Sequence, residues 1–179
     1  MMITEKTTIK CEYCYDDEHV QRYYIKKIWD KNKPLVCVIM LHPCESEGNN
    51  LVTEYTGFLV TNNVARMEKY GGVIMVNLFS RLTDKLRFKE FDVSELTDEN
   101  NNQQILDAVE SCEITVLAWG CGTSSSKHIT NRVMEVLNML KPYADKIHVL
   151  SDGARSGLHP LCPSLHNRWI FEKVNLASV

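Results

Sequence analysis

The clearest indication of the fold comes from residues 35–46, LVCVIMLHPCES. Its first seven residues, 35–41, are all apolar, and Pro34 precedes them. A continuous run of this length, rich in Val, Ile and Leu, predicts a strand that is buried on both faces of a sheet. The run ends in HPCES, residues 42–46, a segment of side chains that carry reactive groups or restrict the backbone.

Two later apolar runs end in the same manner. Residues 73–79, VIMVNLF, carry Asn77 near their end, and residues 114–119, ITVLAW, lead into Gly120. The carboxyl ends of neighbouring parallel strands form the edge at which open α/β sheets bind ligands. We therefore expect the functional site at this edge.

Strand and helix patterns alternate along the rest of the chain. Further strands are predicted at 20–29, 147–150 and 169–174, and helices at 51–70, from Thr97 or Asp98 to about 112, and from Ser124–Ser126 to Pro142. The alternation predicts an α/β fold, a three-layer α/β/α sandwich with a mostly parallel central sheet. Residues 20–29 and the buried strand are expected to form an antiparallel hairpin at the sheet edge. We predict a single domain over residues 1–179, with 1–18 as an N-terminal arm or an irregular first strand.

The composition of the chain argues against several classes of protein. The chain has 179 residues, of which 44% are hydrophobic, and its net charge of −3 argues against a surface built for indiscriminate nucleic-acid binding. No apolar run approaches the roughly 20 residues that span a bilayer, and the N-terminus lacks the apolar core of a signal peptide. We expect no membrane partner. The seven cysteines are then expected to be reduced thiols in a cytoplasmic protein.

Four short motifs follow one another in the chain: MLHP (40–43), VNLF (76–79), LAWG (117–120) and GLHPL (157–161). This set resembles the bacterial and phage family known as domain of unknown function 1643, over residues 22–175. That family usually has Asn and Ser where this chain has His42 and Cys44. The same skeleton is more distantly similar to the uracil-DNA glycosylase superfamily.

The more distant resemblance implies a uracil-DNA glycosylase-like fold and a function. His42 would fall in the loop that positions water, Asn77 would be the amide that reads the base edge, and His159 would be the histidine of the late loop. The implied partner is a nucleobase, nucleotide or DNA, and the implied reaction is hydrolysis of an N-glycosidic bond.

The candidate site combines these positions with their neighbours. The predicted catalytic residues are His42 and His159, and the predicted substrate-binding residues are Pro43, Cys44, Asn77, Arg81, Gly120 and Pro160. Histidine changes charge near neutral pH and so serves as general acid or base. An Asn amide offers a donor and an acceptor together, which suits a pyrimidine edge, although Asn77 can equally tie down a neighbouring loop.

Three alternatives stay open. The chain can be a non-catalytic nucleotide- or DNA-binding module that keeps the pocket without the chemistry. It can be a hydrolase with Cys121 as nucleophile, since this thiol follows a strand and precedes a helix. Cys11-x-x-Cys14 is half of a metal-binding pattern, but the sequence contains no second paired motif. We therefore expect neither a metal nor a cofactor.

Overall fold

The computed structural model describes residues 2–44, 55–83, 90–120, 126–165, 168–174 and 176. These residues form strands β1 (Lys10–Tyr15), β2 (Arg22–Ile28), β3 (Leu35–Met40), β4 (Gly72–Asn77), β5 (Ile114–Leu117), β6 (Ile147–Ser151) and β7 (Ile170–Lys173). The described helices are α1 (Tyr55–Ala65), α2 (Val93–Leu96), α3 (Glu99–Ser111) and α4 (Lys127–Leu140). None of them is long and apolar enough to cross a membrane.

All seven strands belong to one sheet, in the order β1-β2-β4-β3-β5-β6-β7. The four inner strands, from β4 to β6, are parallel. The strands outside them pair antiparallel. The sheet is therefore mixed, and the prediction of a mostly parallel sheet is wrong. The sequence pattern marks the apolar parallel core correctly but contains no signal for the direction of the outer strands.

The predicted hairpin between residues 20–29 and the buried strand is also wrong. β2 pairs with β1 on one side and β4 on the other, both antiparallel. β3 lies between β4 and β5 instead, because a strand that is apolar on both faces is most stable in the middle of a sheet. Within residues 1–18, which were predicted as an arm or an irregular first strand, β1 forms the sheet edge, and its register with β2 shifts between Cys14 and Tyr15.

The buried strand β3 supplies both faces of the core. Val36, Val38 and Met40 pack into one apolar cluster with residues of α1. Cys37 and Ile39 point to the opposite face, where the cluster contains residues of α3 and α4. Successive side chains of a strand alternate between faces, so a strand covered on both sides must be apolar throughout. This is the physical reason for the unbroken apolar run.

The helices differ from the predictions at their ends. α1 lies inside the predicted range 51–70, and residues 51–54 lie outside the described part of the chain. α2 was not predicted from the sequence, and a Glu95 carboxylate oxygen accepts a hydrogen bond from the Asp92 N–H at its start. α3 begins after Asp98, whose side chain accepts from the Asn101 N–H, as the N-cap pattern predicts.

Candidate functional site

A cavity of about 220 Å³ lies at the carboxyl end of β3. Its described lining consists of Met40, Leu41, His42, Cys44, Thr56, His159 and Leu161. The two histidines come from the end of β3 and from the long loop after β6, so the fold brings together the two predicted catalytic residues. Thr56, on the first turn of α1, and Leu161 were not predicted from sequence, because neither carries a distinctive pattern.

The ring of His42 is held by the next residue. Its Nδ1 lies 3.1 Å from the carbonyl oxygen of Pro43. A carbonyl oxygen only accepts hydrogen bonds, so in this contact Nδ1 carries the proton and donates it. In the neutral ring, Nε2 then has the lone pair. His42 is therefore arranged as a base at Nε2.

His159 has the opposite arrangement. The backbone N–H of Leu161 donates to its Nδ1 at 3.2 Å, so Nδ1 accepts and the neutral ring carries its proton on Nε2. The cavity is thus lined by one histidine that can take a proton and one that can donate a hydrogen bond. This complementarity suits a reaction in which a water is deprotonated while a leaving group receives a proton.

Gly120 fixes the position of His159. Its φ is +85°, a conformation that favours glycine, and a Cβ added there would lie 3.0 Å from the His159 Cβ. The lack of a side chain at residue 120 therefore allows the close approach of the end of β5 to the late loop. Pro160 is buried beside this contact, and Pro43 is buried behind His42. Cys44 is half-buried and lines the cavity itself.

Asn77 is the most unusual polar residue near the site. It is 2% exposed, and its Oδ1 has no hydrogen-bond partner among the described residues. Asn77 pairs in register with Met40, so both side chains lie on the same face of the sheet, and Met40 lines the cavity. Leaving a buried amide unpaired costs roughly 1–3 kcal/mol. Asn77 therefore lies beside a residue of the cavity lining, and its Oδ1 has no hydrogen-bond partner among the described residues.

Two buried residues that sequence reasoning missed hold the end of β4 from the other face. The Asn101 side-chain amide donates to the carbonyl oxygens of Asn77 at 3.2 Å and Leu78 at 3.1 Å. Arg132 Nε donates to the same Leu78 oxygen at 2.7 Å. Nothing in the sequence distinguishes Asn101 from the asparagines on either side of it. These contacts fix the backbone that carries Asn77.

The structure does not bring Arg81 to the cavity. Its guanidinium carbon lies 4.1 Å from the centre of the Phe91 ring, and Nη1 is 3.4 Å from the Glu95 carbonyl oxygen. Phe91 packs against the cluster that contains α3 and α4 residues, whereas the cavity lies on the α1 side of the sheet. In this structure, Arg81 contacts the segment around α2 rather than the described cavity lining.

A network around Asp152 closes the loop that carries His159. Its carboxylate accepts from the Ser164 hydroxyl at 2.6 Å and from the backbone N–H groups of Ala154 and Arg155 at 2.9 and 2.8 Å. The Arg155 guanidinium also binds it at 3.0 Å. The Ser164 hydroxyl, followed by the other donors, holds the pKa of Asp152 well below its usual range. The same Ser164 lowers the pKa of the nearby Cys162 thiol.

The alternative nucleophile Cys121 lies outside the described residues, as do Ser124 and Ser125 at the start of the predicted helix. Ser126 directly precedes α4, as predicted. No group of three or more His, Cys, Asp or Glu side chains in the described ranges is arranged to hold a metal ion.

The family described as "Protein of unknown function (DUF1643)" matches residues 22–161. The chain belongs to this family. The DUF1643 match spans every element from β2 to the late loop, and it contains all the predicted site residues. Searches of curated proteins and of solved structures each found no match. Family membership thus leaves the activity open, and the site itself must supply the argument about function.

Proposed function

We propose that the cavity at the carboxyl end of β3 binds a nucleobase that is part of a nucleoside, nucleotide or DNA strand, and that the protein hydrolyses its N-glycosidic bond. The fold that goes with this proposal is a three-layer sandwich of the uracil-DNA glycosylase type. The sheet edge, with four motifs at the ends of its strands and loops, supports it.

The observation that carries the proposal is the unpaired, buried amide of Asn77. An amide presents a hydrogen-bond donor and an acceptor side by side, as the edge of a pyrimidine does in complementary order. The adjacent cavity of about 220 Å³ is smaller than the ~300–1,000 Å³ typical of drug-sized ligands, which suits one planar ring.

The two histidines supply the proton transfers. A water attacks the sugar carbon and gives its proton to His42 Nε2, while the bond from that carbon to the base nitrogen breaks. The electron pair leaves with the base, and His159 Nε2–H donates to the oxygen on which negative charge develops. Stabilising that charge with a fixed donor lowers the barrier.

The second candidate is a binding module without turnover. One observation favours it: the described lining of the cavity contains no carboxylate, which would be a stronger partner than histidine for the positive charge on the sugar. Both candidates require Asn77 for recognition. They differ only in whether the N-glycosidic bond of the bound ligand is hydrolysed.

A thermal-shift panel of bases, nucleosides, nucleotides and short DNA tests recognition. A ligand at 100 times its Kd stabilises a protein by about 2.7 kcal/mol, which corresponds to a melting temperature roughly 5–10 °C higher. We expect Asn77→Ala to abolish the shift and Asn131→Ala, an exposed asparagine on α4, to preserve it.

Three outcomes distinguish the candidates. A stabilising ligand that is converted to free base supports the hydrolase, and one that stays intact supports the module. No shift with any nucleobase ligand contradicts both, and the Cys121 hydrolase then becomes the hypothesis to test. For that hydrolase, Cys121→Ser alone would stop turnover, and iodoacetamide would label Cys121 before the other thiols.

A further inference from the structure

A second and larger cavity, of about 600 Å³, shares no described lining residue with the His42 cavity. One wall is the hairpin of β1 and β2, and the other is α1. The residues that matter for its chemistry are Ile9, Cys11, Lys27, Trp29, Phe58 and Ala65. Its volume lies within the ~300–1,000 Å³ range of small-molecule sites.

Lys27 is the one charged residue in the described lining of this cavity. It is 7% exposed, and no hydrogen bond or ion pair joins its ammonium group to any described residue. Lysine normally keeps its charged end in water while the stem packs on apolar surface. Lys27 fits this behaviour: its stem is buried, while its ammonium group is not among the buried unpaired atoms of the described residues and so reaches the open volume of the cavity.

No element packed against Lys27 supplies a counter-charge. In the sheet its register partners are Cys11 on β1 and Val73 on β4, both uncharged. On its own strand, the residues that share its face are Ile25 and Trp29. The helix opposite, α1, has the sequence YTGFLVTNNVA, which contains no charged residue. On these elements the described residues next to Lys27 carry no charge, so its ammonium group is the one charged group that the described lining offers to a ligand.

The other lining residues indicate which chemical class of ligand the cavity fits. Trp29 and Phe58 give the cavity two aromatic walls, and Phe58 is 56% exposed, as a side chain awaiting a partner would be. A phosphate or sulfate with two charges is usually held by arginine or by several cations, whereas one ammonium group matches a single carboxylate. We propose that this cavity binds a small amphipathic monocarboxylate, with its carboxylate on Lys27 and its apolar body between Trp29 and Phe58.

Calorimetric titration with octanoate and 1-octanol, below their aggregation concentrations, tests this site. The two probes have the same chain length and differ in charge. We expect the wild-type protein to bind octanoate at least tenfold more tightly than 1-octanol. Lys27→Met should remove that preference. Lys26→Met, the neighbouring residue on the opposite face of β2, should preserve it.

A second variant keeps the proposal testable if Lys27→Met does not fold. Thr61→Trp on α1 fills the cavity without touching the charge and should abolish binding of both probes, with an unchanged circular dichroism spectrum. Absence of octanoate binding to the wild type, or equal binding by the wild type and Lys27→Met, would overturn the proposal. Binding that Thr61→Trp leaves intact would mean that the probe adheres elsewhere, and would also overturn it.

Discussion

At the scale of single residues, two buried asparagines illustrate how the site is built. The Oδ1 atoms of Asn77 and Asn101 are both buried without a described partner. Asn101 offsets this cost because its Nδ2 donates to two carbonyl oxygens of β4, whereas no hydrogen bond from the Asn77 side chain to a described residue offsets it. Both side chains are almost fully buried. The same residue type therefore stabilises the fold at one position and burdens it at the other. A residue that burdens the fold is a candidate for function.

Replacing these asparagines by leucine should have opposite effects on stability. Asn77→Leu removes an unpaired buried amide and should raise the free energy of unfolding by about 1 kcal/mol while abolishing ligand recognition. Asn101→Leu removes the side-chain donor of the Asn77 carbonyl oxygen and one of the two side-chain donors of the Leu78 oxygen, and should lower it by roughly 1–3 kcal/mol. Urea unfolding followed by circular dichroism measures both. If Asn77→Leu were as destabilising as Asn101→Leu, the Asn77 amide would be a structural tie and not a ligand contact.

Gly120 makes a second prediction at the residue scale. Gly120→Ala places a Cβ against the His159 side chain and forces a left-handed conformation on alanine, which costs about 1–2 kcal/mol. Gly153, whose φ is +93°, is the matched control, because its added Cβ would meet Ile170 and not a cavity residue. We expect both variants to lose similar stability in urea, and only Gly120→Ala to lose ligand affinity. If Gly120→Ala kept full ligand affinity, the position of His159 would not matter for ligand recognition.

At the scale of elements, the late loop is an ordered structure held by Asp152. Its two ends are joined through the Asp152 carboxylate, the Ser164 hydroxyl and the Arg155 guanidinium. His159 lies between them in sequence. The position of this histidine therefore depends on the ionised state of a carboxylate that does not touch the cavity.

The ionisation of Asp152 makes the stability of the protein change with pH in a definite direction. The pKa of Asp152 is lower in the folded protein than its ordinary value near about 3.9, so the carboxylate contributes stability above that pH and loses it as pH falls further. The urea midpoint of the wild type should exceed that of Asp152→Asn at pH 6, and the difference should shrink towards pH 2. Asp145→Asn, at an exposed position, should show no comparable difference. A gap between wild type and Asp152→Asn that is equal at both pH values would contradict the role of this carboxylate.

The sequence predicts elements of this chain better than their pairing. Apolar runs identify β3, β4 and β5 because burial on both faces leaves a local signature. Strand direction at the sheet edges depends on long-range connections, so the position of β2 beside β4 could not be found locally. In the same way His42, His159 and Gly120 were found together because they follow strands or lie in a shaped loop. Thr56, Asn101 and Arg132 were missed because their role depends on tertiary contacts.

At the scale of the whole molecule, the mixed sheet carries cavities of different chemistry. The His42 cavity lies at the carboxyl end of the parallel core, where open α/β sheets bind ligands. The Lys27 cavity lies against the antiparallel hairpin. The parallel and antiparallel parts of the sheet thus present different chemistry, a pair of histidines in one case and a lone buried cation in the other.

Release of free base from nucleosides, nucleotides and uracil-containing single-stranded DNA, measured by chromatography, is the decisive assay for the proposed reaction. We predict release by the wild type, a decrease of about 10²–10⁴-fold in His42→Gln and in His159→Gln, and no change in His128→Gln, an exposed histidine on α4. Variants that are folded and release base at the wild-type rate, or a wild type that binds a nucleobase ligand and leaves it intact, would contradict the assignment of these two histidines as catalytic.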